Sequence, residues 1–122
     1  MILADTSVWI DHFRAGDARL IAELGRSNIL MHSHVEGELA LGSFKQRDTV
    51  LATLRSLPFA ITARTEEVRA VIERRALYGR GIGYVDTHLL ASVLITPHCQ
   101  LWTRDKRLRN VANSMKIHVQ FP

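Results

Sequence analysis

One cysteine, Cys99, is all that the 122 residues contain, so no internal disulfide can form and no thiolate metal site can be built. A reducing, cytoplasmic setting is therefore expected. Long apolar runs are missing as well. The longest, around Leu89 to Ile95, falls far short of the roughly 20 residues that cross a bilayer. The opening Met-Ile-Leu-Ala-Asp carries no basic leader before an apolar stretch, so neither a signal peptide nor a membrane span is expected. Repeats, low-complexity tracts and linkers are also wanting. With 47% hydrophobic residues, the length suits a single domain over residues 1–122 that buries about two thirds of its unfolded surface. Acid is the scarcer charge: 12 Asp plus Glu stand against 16 Lys plus Arg, for a net charge of +4 and a pI near 9.8. That balance favours a polyanionic partner without choosing among RNA, DNA and acidic proteins.

What is present alternates between short apolar runs and longer segments of helical period. Ile2 to Ala4 reads as a buried strand, followed by a helix in which Val8, Trp9 and Phe13 share a face before Gly16. Further strands are expected at Asn28 to Met31, Phe59 to Ile61, Gln100 to Thr103 and Ile117 to Val119. Helices are expected at Ala18 to Leu24, Ser33 to Leu41, Gln46 to Leu57, Thr65 to Tyr78, Val85 to Ile95 and Asp105 to Asn113, with Thr65 as an N-cap. This alternation points to an α/β sandwich around a mostly parallel sheet.

Four acids stand at informative places. Asp5 follows the first strand, Asp105 comes two residues after the strand ending at Thr103, Asp86 opens the apolar helix, and Glu38 lies within a helix that follows another strand. Open parallel sheets form their sites beyond the carboxyl ends of the strands, where these four can meet. At an assumed ~6 Å and an effective dielectric of ~20, two ionised carboxylates repel by about 3 kcal/mol. The six pairs of a quartet would then exceed a small domain's stability of roughly 5 to 15 kcal/mol. Such a group must bind cations or hold protons, and hard divalent ions such as Mg²⁺ or Mn²⁺ take carboxylate oxygens and activate water. Taken singly, each Asp also suits a helix cap, and Glu38 suits a solvated face. Glu36 competes with Glu38, but two residues on a helix lie about 200° apart, so only one faces the site.

Other patterns are weaker. Gly79-x-Gly81-x-Gly83 follows a helix instead of a strand, which fails the context of a dinucleotide site and leaves a loop near Asp86. Six histidines show no zinc spacing, and Ser7 has no evident His and Asp partners. A receiver-type phosphoacceptor would need adjacent acids after its first strand, where Ala4 and Thr6 flank Asp5 instead. Arg80, Arg104, Lys106 and Arg107 surround the acids as candidate phosphate contacts. Trp9, Trp102 and Tyr84 are aromatics able to stack on bases, although both tryptophans sit in segments that read as core.

Ile-Leu-Ala-Asp5-Thr6-Ser7, Glu38-Leu-Ala-Leu-Gly42, Asp86-Thr-His-Leu-Leu-Ala91 and Thr103-Arg-Asp105-Lys-Arg-Leu108 come in an order and spacing that resembles the PIN-domain ribonucleases, specifically the VapC toxins of toxin-antitoxin pairs. The resemblance spans nearly the whole chain. It implies a three-layer fold with a five-stranded, mostly parallel sheet and a Mg²⁺- or Mn²⁺-dependent endoribonuclease. Asp5, Glu38, Asp86 and Asp105 would be its catalytic metal ligands, with Glu38 favoured over Glu36 by the Glu-x-x-x-Gly match. Thr6, Ser7 and Thr103 would hold carboxylates or waters in place. A homodimer, an RNA substrate and a cognate antitoxin, whose tail covers the groove, are implied with it. The alternatives are a DNA-cleaving relative and a noncatalytic PIN-like module that binds nucleic acid or protein, its acids serving only as caps.

Overall fold

Ile2, Leu3 and Ala4 have no polar side chain among them, and as strand β1 (Ile2–Ala4) they are buried on both faces. This is the signature of a central parallel strand, covered by helices above and below. The computed structural model describes all residues, Met1 to Pro122. After β1 come α1 (Thr6–Ala15), α2 (Ala18–Gly25), β2 (Ile29–Leu30), α3 (Ser33–Ala40), α4 (Arg47–Arg55), α5 (Thr65–Arg74), α6 (Tyr84–Ile95), β3 (Gln100–Trp102) and α7 (Lys106–Ser114). The strand order is β2-β1-β3, all parallel, with Leu3 opposite both Leu30 and Leu101.

The five-stranded expectation needs a correction of degree. Three strands are formed, and the two outer segments are reduced to single parallel bridges, Met31 with Phe59 and Leu101 with His118. Each outer segment still exchanges two backbone hydrogen bonds. Met31 N–H donates to Pro58 and Ala60 N–H to Met31, while Leu101 N–H donates to Ile117 and Val119 N–H to Leu101, all at 2.8 Å. Pro58 has no N–H to continue a ladder, which limits pairing on that edge. The parallel arrangement across five positions thus survives in very short edge segments, which give other chains little to pair with.

Right-handed crossovers that step outward from β1 in opposite directions place their helices on opposite faces of the sheet. A core of 25 buried hydrophobic residues fills the sandwich. Helix α6 is buried continuously from Thr87 to Val93, as its lack of a polar face requires. Helix α5 is shorter than its periodicity suggests. It ends at Arg74, Ala76 takes a left-handed φ of 52°, and Leu77 N–H reaches back to Ile72 at 3.0 Å. The burial of Leu77 draws the chain off the helix there. Arg64, not Thr65, is the N-cap, and the Glu67 side chain accepts its N–H at 2.9 Å.

Candidate active site

β1 and β3 are paired parallel neighbours, and open sheets form their sites in the crevice beyond such carboxyl ends. Asp5 and Asp105 stand there as the N-caps of α1 and α7. Asp5 is buried at 5% exposure. Its Oδ1 accepts from Ser7 N–H at 3.0 Å, Val8 N–H at 3.4 Å and Ser7 Oγ at 2.5 Å, and its Oδ2 accepts from Thr103 Oγ1 at 2.5 Å. Burial nevertheless outweighs these bonds and pushes the carboxyl above the ordinary range. Asp105 accepts Leu108 N–H at 2.9 Å, and its own N–H donates to Thr103 Oγ1 at 3.0 Å. One hydroxyl therefore ties both caps together.

From α3, Glu38 reaches the same crevice and accepts from Thr6 Oγ1 at 2.7 Å. Glu36 turns away, as helical geometry demands, and pairs with Arg55 at 2.6 Å. Asp86, in the first turn of α6, accepts Gly83 N–H at 3.3 Å. Its carboxyl is pushed up first by burial and then by the charges of Asp105, Asp5 and Glu38. The fold therefore brings Asp105, Asp5 and Glu38 all within electrostatic reach of Asp86. They ring the crevice rather than meet in it, since no three His, Cys, Asp or Glu side chains are gathered tightly enough to hold a metal ion as they stand.

Ion pairing separates these acids from all the others but one. Seven of the 12 acids form salt bridges, namely Asp11, Asp17, Glu23, Glu36, Asp48, Glu66 and Glu67. The four candidates and Glu73 are the acids left without one. Asp17 makes the contrast sharp, because it also caps a helix and burial pushes it up, yet Arg104 holds it below the ordinary range. Asp5 likewise caps a helix, but it has no cation beside it and the opposite shift. An ordinary cap has no reason to be buried unpaired in a chain with 16 basic residues.

The basic residues divide. Arg104 is not the free phosphate contact that its position suggests. Its guanidinium pairs with Asp11 at 2.8 Å and with Asp17, and lies 5.5 Å from the centre of the Trp102 ring. It clasps the α1–α2 corner to the end of β3. Arg80, Lys106 and Arg107 are exposed and form no salt bridge. Arg107 lies across Gly81, where an added Cβ would stand 3.0 Å from its Cδ and where φ is +79°. The positive φ calls for glycine, and an added Cβ would in addition make the arginine give by a few tenths of an ångström.

His118 is a member of the site that the sequence does not announce. It is buried in the last bridged segment, its Nε2 accepts Thr103 N–H at 3.2 Å, and its Nδ1–H donates to Val119 O at 2.8 Å. It steadies the residue that steadies Asp5. Its only signal in the sequence is a polar residue between Ile117 and Val119, which by itself reads as an edge-strand histidine. Beside Glu38 runs a groove of about 280 Å³ lined by Ile10, Phe13, Leu39 and Phe44.

The chain matches the PIN domain family over residues 2–114. It is 52% identical over 109 residues to Ribonuclease VapC32 of Mycobacterium tuberculosis, in each of two strains, covering 89% of this chain and 88% of that protein. The order of the acids, the parallel sheet that gathers them and this match agree: the chain belongs to the PIN-domain family, among its VapC-type members.

Proposed function

We propose that this chain is a divalent-metal-dependent endoribonuclease, the toxin of a toxin-antitoxin pair, which hydrolyses phosphodiester bonds of RNA. The carrying observation is the set of four acids left without a cationic partner around one crevice of a basic protein. The name of its relative Ribonuclease VapC32 supports the same activity.

An all-carboxylate donor set fits a hard cation, and Asp5, Glu38, Asp86 and Asp105 are the residues that would hold Mg²⁺ or Mn²⁺. When bound, such an ion supplies an activated water and neutralises charge on the phosphate. The chain's own part is preorganisation. Ser7 and Thr103 hydroxyls lock the Asp5 carboxylate, Thr103 also fixes the backbone at Asp105, and Thr6 orients Glu38. Arg80, Lys106 and Arg107, free of carboxylate partners, would grip flanking phosphates. The antitoxin tail would lie along the groove beside Glu38, and the homodimer is carried over with the family. A noncatalytic module would have no use for unpaired acids in this arrangement.

The test is cleavage of a structured RNA with Mg²⁺ or Mn²⁺ against the same reaction in EDTA, with Asp5→Asn as control. Cleavage that survives EDTA, or that Asp5→Asn leaves intact, would defeat the mechanism. A matched DNA strand separates the ribonuclease from a DNA-cleaving relative.

A further inference from the structure

Of the three aromatic residues suited to stacking on a base, burial removes two: Trp9 is 2% and Trp102 5% exposed. Tyr84 is 53% exposed, and Tyr78, across the glycine loop, is 66% exposed. Both are among the large hydrophobic side chains that the fold leaves exposed. The two line one cleft of about 210 Å³, together with Arg80, Ile82 and Thr87, which is room for a planar ring. We infer that this cleft is a base-stacking subsite, which receives an unpaired base of the RNA next to the phosphate held in the acidic crevice.

Three further observations carry the inference. Tyr84 is the first residue of α6, two positions before Asp86, and the loop that forms the cleft ends at Gly83, whose N–H holds the Asp86 carboxylate. A base in the cleft is thus one turn of backbone from Asp86. The Tyr84 ring is also braced. It meets His88 edge-on at 5.0 Å and 89°, and His88 stacks on His34 at 4.4 Å and 24°. His88 is 7% exposed, so the outer ring rests on a fixed inner one. The rim, finally, is basic and uncommitted: Arg80 lies on the loop and Arg107 lies across Gly81.

Stacking tolerates any base but requires that it be unpaired. The subsite therefore selects single strands and loops over duplexes, which deepens the ribonuclease reading and rests on it. The experiment uses the full-length protein and RNA oligonucleotides carrying 2-aminopurine at successive positions around the mapped cleavage site, bound to the Asp5→Asn variant. One position adjacent to the cleaved bond should be quenched. The quench should vanish when Tyr84→Leu is added and return with Tyr84→Phe, and Tyr78→Leu should weaken it at that same position.

In the active protein, Tyr84→Leu should lower kcat/KM on single strands by roughly tenfold to a hundredfold, with the melting temperature unchanged. An abasic nucleotide at the quenched position should cost the wild type the same factor and cost Tyr84→Leu nothing more. Equal cleavage by Tyr84→Leu and wild type, or equal slowing of both by the abasic nucleotide, would overturn the subsite. Absence of any RNA cleavage by the wild type would sink the ribonuclease reading instead. A single-stranded oligonucleotide carrying 2-aminopurine at each position in turn, which needs no mapped site, would then decide the subsite, and no quench lost with Tyr84→Leu at any position would overturn it.

Discussion

Replacing Asp86 with Asn removes one charge from a group of four that has no cationic partner, and the expected result is a more stable protein. Asn keeps an oxygen for Gly83 N–H, so the local cap survives. What disappears is the repulsion from Asp105, Asp5 and Glu38, which together with burial raises the Asp86 carboxyl. A single pair at an assumed ~6 Å and dielectric ~20 is worth about 3 kcal/mol. Water and salt at a half-buried rim reduce the net gain to about 1 to 2 kcal/mol. For 122 residues, with an unfolding entropy of about 2.1 cal/mol/K per residue, that corresponds to about 4 to 8 °C in Tm.

The sign also depends on pH. A carboxyl raised by folding binds more protons in the native state, so its contribution to stability is present at low pH. That contribution is lost as pH rises from the ordinary aspartate range through the raised native value. The Asn variant lacks this loss, and its advantage should grow across weakly acidic pH. Differential scanning calorimetry in EDTA, then with Mn²⁺, is the assay. Saturating Mn²⁺ at a hundred times its Kd should stabilise the wild type by about 2.7 kcal/mol and close the gap. An Asp86→Asn protein no more stable than wild type in EDTA at pH 7 would refute the claim that these acids repel one another.

Thr103→Val deletes the hydroxyl shared by Asp5 and Asp105 and leaves Asp5 Oδ2 without its donor. Urea unfolding should show a loss of about 1 to 3 kcal/mol, and RNA cleavage should fall along with it. Arg104→Ala should destabilise the protein by about 1 kcal/mol through its lost pairs with Asp11 and Asp17. The salt dependence of RNA binding should stay unchanged in that variant, whereas Arg107→Ala should flatten its slope by about one phosphate contact. His32 is fully buried and is held down to about 4, first by burial and then by His34 and His88. Folded His32 thus binds fewer protons than unfolded, and stability should drop by about 3 kcal/mol as pH falls from 6.5 toward 4. A variant with Asn at position 32 that unfolds with the same pH slope would contradict this.

The alternation of elements was legible because burial imposes it. Ile2 to Ala4 has nothing polar to expose, and Leu89 to Val93 offers no solvated face. Helix ends were less legible, since the end of α5 is decided by where Leu77 finds the core, not by any stop signal near Arg74. The acids were visible in the sequence as a spaced set, and the choice between Glu36 and Glu38 could be posed there as a matter of helical angle. Their partners were invisible. Arg104 looked like its basic neighbours Lys106 and Arg107, and only folding brings Asp11 and Asp17, from 93 and 87 residues away, to its guanidinium. His118 belongs to the site through a bridge formed 15 residues from Thr103.

The sequence by itself thus determined the fold class and the family, because hydrophobic period and motif order are local properties that a chain carries before it folds. Only the tertiary structure decided which acids stay unpaired, which arginine is spent on structure, and which aromatic faces water. Those are properties of distance, and charge and hydrogen bonding act over ångströms in space regardless of separation along the chain.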